Sequence, residues 1–131
     1  MNRKLLSLLT ALMLCAAPAA DVHFLSGGTQ ANKTVIGAFL RPYEAVIAAV
    51  SGHITAHETA AIENNGHKIL TVAGVDGKVT PAEIESVVAA NSAEYTPAPR
   101  LVYISNTTEI GTVYSKDELE ALHELSFAAQ V

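Results

Sequence analysis

Two short segments hold the residue types from which a reactive site is made. Ser26-Gly27-Gly28-Thr29 closes the apolar run Val22-His23-Phe24-Leu25 and leads into a stretch with apolar residues at helical spacing: Ala31, Val35, Ile36, Phe39 and Leu40. Two glycines between a strand and a helix let backbone N–H groups approach an anion closely, the helix dipole adds partial positive charge, and the Thr29 hydroxyl is a further donor. The same run is equally readable as a tight strand-to-helix turn with a threonine cap. It matches neither GxGxxG nor GxxxxGK(S/T), so a nucleotide loop is not supported. The second segment is Gly52-His53-Ile54-Thr55-Ala56-His57-Glu58. His53 stands where a strand ends, and its flat ring is suited to stacking on a planar cofactor. Glu58, about a turn further on, is placed to position a water or a proton. His53 and His57 are four apart, as metal ligands on a helix are, but the pattern is not HExxH and no third ligand is specified. No metal site is expected. His23, His67 and His123 read as structural, the first two flanking strands and the third in a charged helix.

These segments need a scaffold that brings them to one place. Glu44 to Val50 is a continuous apolar run, as in a strand buried on both faces, and His67 to Val72 and Leu101 to Ser105 read as further strands. Between them lie helical stretches at Thr29 to Leu40, Thr55 to Asn64 and Ser115 to Ala129, the last capped by Ser115 with Glu118 three residues on. Thr80-Pro81-Ala82-Glu83 is a helix start with threonine as cap, proline at the first helical position and glutamate three residues after the cap. Gly74 to Gly77 reads as a loop, and Asn91 to Pro99 as a polar connection. Strands separated by single helices predict right-handed crossovers and an α/β fold: a parallel sheet with helices on both faces. Ligands of such sheets collect at the carboxyl ends of strands. Three of those ends are polar here: Ser26 to Thr29, Ser51 to Glu58, and Ser105 to Thr112.

Composition removes several classes of function. The 131 residues carry 8 Lys plus Arg against 13 Asp plus Glu, a formal charge of −5 with no basic run, which argues against nucleic acid as a partner. Half the residues are apolar and 16% are charged, so a folded interior is expected rather than disorder. The single cysteine, Cys15, forms no internal disulfide and no thiolate zinc site. Residues 1–20 have a basic start, an apolar run from Leu5 to Ala17 and small residues before Asp21. That is the outline of an exported leader, and also of an unusually apolar N-terminal helix; the run is short for a membrane span. Residues 21–131 form the α/β domain in either reading.

The blocks HFLSGGTQAN, SGHITAHETAAIE, GKVTPAEIE and LVYISNTTEIGTVYSKDELEAL, in that order, resemble the threonine aldolase and aromatic amino acid β-eliminating lyase family, among the fold type I pyridoxal-phosphate enzymes. The resemblance runs from about Asp21 to about Leu125. It implies the large cofactor-binding domain of that fold, pyridoxal 5'-phosphate as cofactor, a small amino acid as substrate, a homo-oligomeric complete enzyme and a cytoplasmic location. The complete enzyme would cleave a β-hydroxy-α-amino acid to glycine and an aldehyde. The resemblance places the phosphate contacts on Gly28 and Thr29, with Gly27 at the preceding turn position, the ring-stacking histidine on His53 and the glutamate near the substrate on Glu58.

The departures from the family pattern are equally specific. The family's Schiff-base lysine, and the aspartate that pairs with the pyridine nitrogen in a DGAR-like segment, both lie downstream of the last matching block. The lysines Lys4, Lys33, Lys68 and Lys116 do not fall where that lysine would. The histidine that many members use beside the substrate corresponds approximately to Thr108, so its contact is absent or replaced by Thr108 and Glu109. Residues 1–20 stand in place of the family's amino-terminal stretch, and Ser126 to Val131 do not resemble its continuation. The expectation is a partial cofactor domain, catalytically incompetent by itself. The competing expectation is a non-enzymatic α/β binding or interaction module, exported if residues 1–20 act as a leader.

Overall fold

A computed structural model describes residues 22–128. Both readings of residues 1–20 therefore fall outside the described residues. The centre of the molecule is the strand β1 (Glu44–Ala49), whose residues from Ala45 onward are all buried. β2 (Lys68–Val72) and β3 (Ala98–Val102) flank it in the order β2-β1-β3, and both pairings are parallel. Successive side chains of a strand point to opposite faces, and β1 divides its apolar residues accordingly. Val46 and Ala48 pack with Ile36 and Leu40 of α1 (Gly28–Phe39), Ile54 of the single-turn α2 (His53–Ala56), and Ile62. Ile47 and Ala49 pack with Val79, with Ile84 of α3 (Pro81–Ala90), and with Tyr114 and Leu122, the last in α4 (Lys116–Ala128). Helices thus cover both faces of a parallel sheet, as the alternation of elements predicts. Among the described residues no helix is long and apolar enough to cross a membrane.

The two predicted caps form as reciprocal pairs. The Thr80 hydroxyl accepts from the Glu83 N–H at 3.4 Å, while the Glu83 carboxylate accepts from the Thr80 N–H at 3.0 Å. The other oxygen of that carboxylate accepts from the Gly74 N–H at 2.7 Å and so ties the exit of β2 to the start of α3. Ser115 and Glu118 repeat the arrangement at α4, where the Ser115 N–H donates to Glu118 at 2.7 Å and the Glu118 N–H to Ser115 at 3.2 Å. The Ser115 backbone contact, with Lys78 adding to it, holds the Glu118 carboxyl below its ordinary pKa.

Three expectations are corrected. Val22 to Leu25 is not a strand: its side chains are exposed, Phe24 by 94%, and no described strand lies beside it to complete a ladder. The helix expected from Thr55 to Asn64 ends at Ala56. Thr59 and Ala60 then take left-handed backbone angles, and only a 3-10 turn follows at Glu63–Asn65. Ile54 and Ile62, both buried, reach the same core from either side of that reversal. The third strand begins at Ala98 rather than Leu101 and ends at Val102, so Pro99 lies inside it. β3 is an edge strand, where a missing N–H is tolerated, and the register shifts by one residue beside Pro99 to accommodate it. Replacing Thr80 by alanine should lower the unfolding free energy by about 1 kcal/mol. A lower urea midpoint at unchanged slope is expected for Thr80→Ala, and little change for Thr80→Ser.

Candidate functional site

The amino end of α1 is built differently from the other two long helices. Its N-cap is Gly27, in extended conformation, with no side-chain cap. The first backbone bond of the helix runs from the Ala31 N–H to the Gly27 carbonyl at 3.1 Å, so the N–H groups of Gly28, Thr29 and Gln30 precede the intrahelical ladder. Thr29 stands in the first turn and is not the cap, which removes the threonine-cap reading of this segment. The Gln30 side chain turns back to accept from the Ser26 N–H at 2.7 Å and the Ser26 hydroxyl at 2.8 Å, closing the loop from outside. A methyl group built on Gly27 or Gly28 would meet nothing within 4 Å. Open space, unladdered amides and a helix dipole are the elements of an anion cradle.

The exit of β1 is a tightly bonded turn. Gly52 donates to the Ala49 carbonyl at 2.8 Å, and the Thr55 hydroxyl donates to the same oxygen at 3.1 Å. A Cβ at Gly52 would stand 3.0 Å from that carbonyl, so only glycine fits without displacement. This turn starts α2 at His53, and the left-handed pair Thr59 and Ala60 then reverses the chain immediately after Glu58. The reversal aims Glu58 inward. Its side chain is 0% exposed.

Inside, Glu58 meets α1. The Asn32 side-chain amide donates to Glu58 Oε1 at 2.6 Å, and Glu58 Oε2 has no partner among the described residues. Asn32 is four residues beyond Gly28, which places it one turn and about 6 Å along the helix from the open glycines. His53 Nε2 lies 3.9 Å from Glu58 Oε1, and His53 Nδ1 lies 3.1 Å from Glu109 Oε1. His57 approaches the other oxygen of Glu109 at 4.0 Å, with its ring centroid 5.5 Å from that of His53. Tyr103, just past β3, faces the same cluster. Burial pushes its phenol pKa up, and the negative charges of Glu58 and Glu109 add to that. The phenol is therefore a proton-bearing group at neutral pH.

The structure thus brings His53 and Glu58 together and links Glu58 to the helix that Gly27, Gly28 and Thr29 begin. Glu109, which the sequence offered only as a replacement for an absent histidine, makes the closest polar contact to the His53 ring. Asn32 and Tyr103 were missed. A signal for Asn32 existed: it occupies the i, i+4 stripe continued by Ile36 and Leu40, both buried, and a polar residue there needs a buried partner. Lys78 was also passed over among the lysines. Its ammonium donates to both oxygens of Glu118 at 2.9 Å and stands 5.6 Å over the Tyr114 ring, committed to the start of α4. Lys116 pairs with Glu120 at 3.4 Å. His67 is buried, as a structural histidine would be, while His23 and His123 are exposed.

Comparison with known proteins gives a consistent result. The family model for beta-eliminating lyases matches residues 8–131. A low specificity L-threonine aldolase from a Pseudomonas species is 38% identical over 104 residues, which are 78% of this chain and 30% of that protein. The one from Pseudomonas aeruginosa is 36% identical over the same shares. The solved structure of a Leishmania major threonine aldolase superposes with a TM-score of 0.82 at 53% identity, covering 85% of this chain and 32% of the other. The chain spans about a third of the length of the relatives it matches.

The left-handed pair after Glu58 gives a stability test. Ala60 has φ 57°, where a Cβ costs about 1 kcal/mol. Ala60→Gly should raise the melting temperature with no change in helical content. A drop in melting temperature would show that the reversal carries no strain.

Proposed function

The chain belongs to the beta-eliminating lyase family, and from that premise we propose that it supplies the phosphate- and ring-binding part of a pyridoxal 5'-phosphate site in a threonine-aldolase-like lyase. The complete enzyme cleaves a β-hydroxy-α-amino acid to glycine and an aldehyde, works as a homo-oligomer and is cytoplasmic. The observation that carries the reading is the hydrogen bond from Asn32 to Glu58. It fixes the amino end of α1 beside the exit of β1, so an anion cradle and an exposed imidazole share one end of the sheet. In this reading residues 21–131 are part of the cofactor domain.

The residues present fit the group. The amides of Gly28 and Thr29 and the Thr29 hydroxyl are donors for a dianionic phosphate, and the bare backbone at Gly27 and Gly28 leaves room for it. His53, its side chain 42% exposed, offers a flat face to the pyridine ring. The cofactor, when bound, supplies the electron sink for carbon–carbon bond cleavage. The Glu58 oxygen that accepts from Asn32 lies 3.9 Å from His53 Nε2, which sets a carboxylate beside that ring nitrogen as a proton acceptor. Tyr103 keeps its proton. The family's lysine and pyridine-nitrogen aspartate are assigned to parts of the complete enzyme beyond the matched blocks.

The test is a titration of the purified full chain with pyridoxal phosphate, followed by cofactor fluorescence. Saturable binding is expected. Thr29→Val, which removes one hydrogen bond of about 1 kcal/mol, should weaken it about fivefold. His53→Ala should weaken it further and change the fluorescence spectrum of the bound cofactor. Equal affinity in both variants would overturn the assignment of these residues, and absence of binding to the wild-type chain would count against the cofactor reading itself.

A further inference from the structure

We infer that Glu109 is a positioning residue for His53, holding the imidazole in one orientation and in the tautomer with its proton on Nδ1. The inference rests on His53 being the ring-stacking residue for its functional meaning, and on geometry alone for its physical content. A carboxylate can only accept, and the 3.1 Å separation of Nδ1 from Glu109 Oε1 therefore places a proton on Nδ1. Nε2 is left as the nitrogen that gains or loses a proton, and it is the one facing Glu58, at 3.9 Å. In metal and nucleophile sites a carboxylate on one ring nitrogen sets the tautomer and the plane of the imidazole in the same way.

Such a role needs a carboxylate that is itself held. Glu109 sits in a turn whose neighbours are bonded on every side. The Thr108 N–H donates to the Thr112 carbonyl at 2.9 Å, the two threonine hydroxyls are 2.7 Å apart, and the Thr112 N–H donates to the Thr108 hydroxyl at 3.1 Å. The Thr112 hydroxyl also donates to the Asp76 carbonyl at 2.6 Å, anchoring the turn to the loop after β2. Ile110 packs so closely on Gly77 that a Cβ there would be 3.0 Å from it. The charged and titratable groups around the ring are Glu58 on the Nε2 side, Glu109 on the Nδ1 side, and His57, whose Nε2 is 4.0 Å from the second Glu109 oxygen. One carboxylate thus faces two imidazoles, at 3.1 Å from His53 Nδ1 and 4.0 Å from His57 Nε2.

The tautomer can be read directly. Full-length chain labelled with 15N-histidine, without cofactor and at a pH where the rings are neutral, is examined by long-range proton–nitrogen correlation, with His53→Asn identifying the signal. The wild-type spectrum should show a protonated Nδ1 and a bare Nε2 at His53. In Glu109→Gln, which keeps the shape but offers both a donor and an acceptor, the two nitrogens should move towards averaged shifts, and Glu109→Ala should do the same. A His53 protonated on Nε2 in the wild type overturns the inference, as does a wild-type pattern retained in both variants. A chain that binds no pyridoxal phosphate yet shows the Nδ1 proton, lost in Glu109→Gln, upholds the inference while removing the cofactor reading.

Discussion

The site depends on one buried contact. Asn32 donates one amide N–H to Glu58 Oε1 across the gap between the first helix and the turn that leaves the central strand, at 2.6 Å, with both residues buried. A buried carboxylate without partners is among the more costly groups a fold can hold. Glu58 has one partner on one oxygen, and that partner belongs to the element whose amino end is open. The contact ties α1 to the turn that follows α2. His53 and Glu58 take their positions from that pair and from the bonds of Gly52 and Thr55 to the end of β1, while Glu109 is held by its own turn.

The fold was largely legible because its signals are redundant. β1 is apolar from Ala45 to Ala49, so its burial on both faces follows from composition. Thr80, Pro81 and Glu83 specify a helix start by hydrogen bonding within four residues, and no tertiary contact is needed to choose it. The errors arose where apolar periodicity was read without the backbone that carries it. Ile54 and Ile62 are eight apart, as on a helix, but two left-handed residues between them reach the same core by a different path. Val22 to Leu25 has a strand's composition and no described neighbour to pair with. Strands are made by partners, and a single segment does not contain them.

The site itself was partly legible for a related reason. His53 and Glu58 stand close in sequence and follow a strand, so local reading reaches them. Glu109 lies 56 residues from His53 and Asn32 lies 26 residues from Glu58, and nothing local announces either pairing. What sequence alone offered for Asn32 was an anomaly, a polar side chain in a buried stripe. For Glu109 it offered a vacancy, since the residue before it replaces a histidine that the resemblance anticipates.

The electrostatic layout of these residues is more informative than any one of them. At the start of α1 the field is positive, made by unladdered amides and the helix dipole, with no acidic residue in the first turn to cancel it. Around His53 the field is negative, made by Glu58 on one side of the ring and Glu109 on the other. The Asn32 to Glu58 bond joins the two regions. A ligand matched to this layout carries a concentrated negative charge at one end and a flat ring able to hold positive charge at the other. A simple anion is served only by the first region, and an apolar planar molecule gains nothing from the paired carboxylates. A phosphorylated, protonatable heterocycle would use both, which is the physical basis of the cofactor proposed for this site.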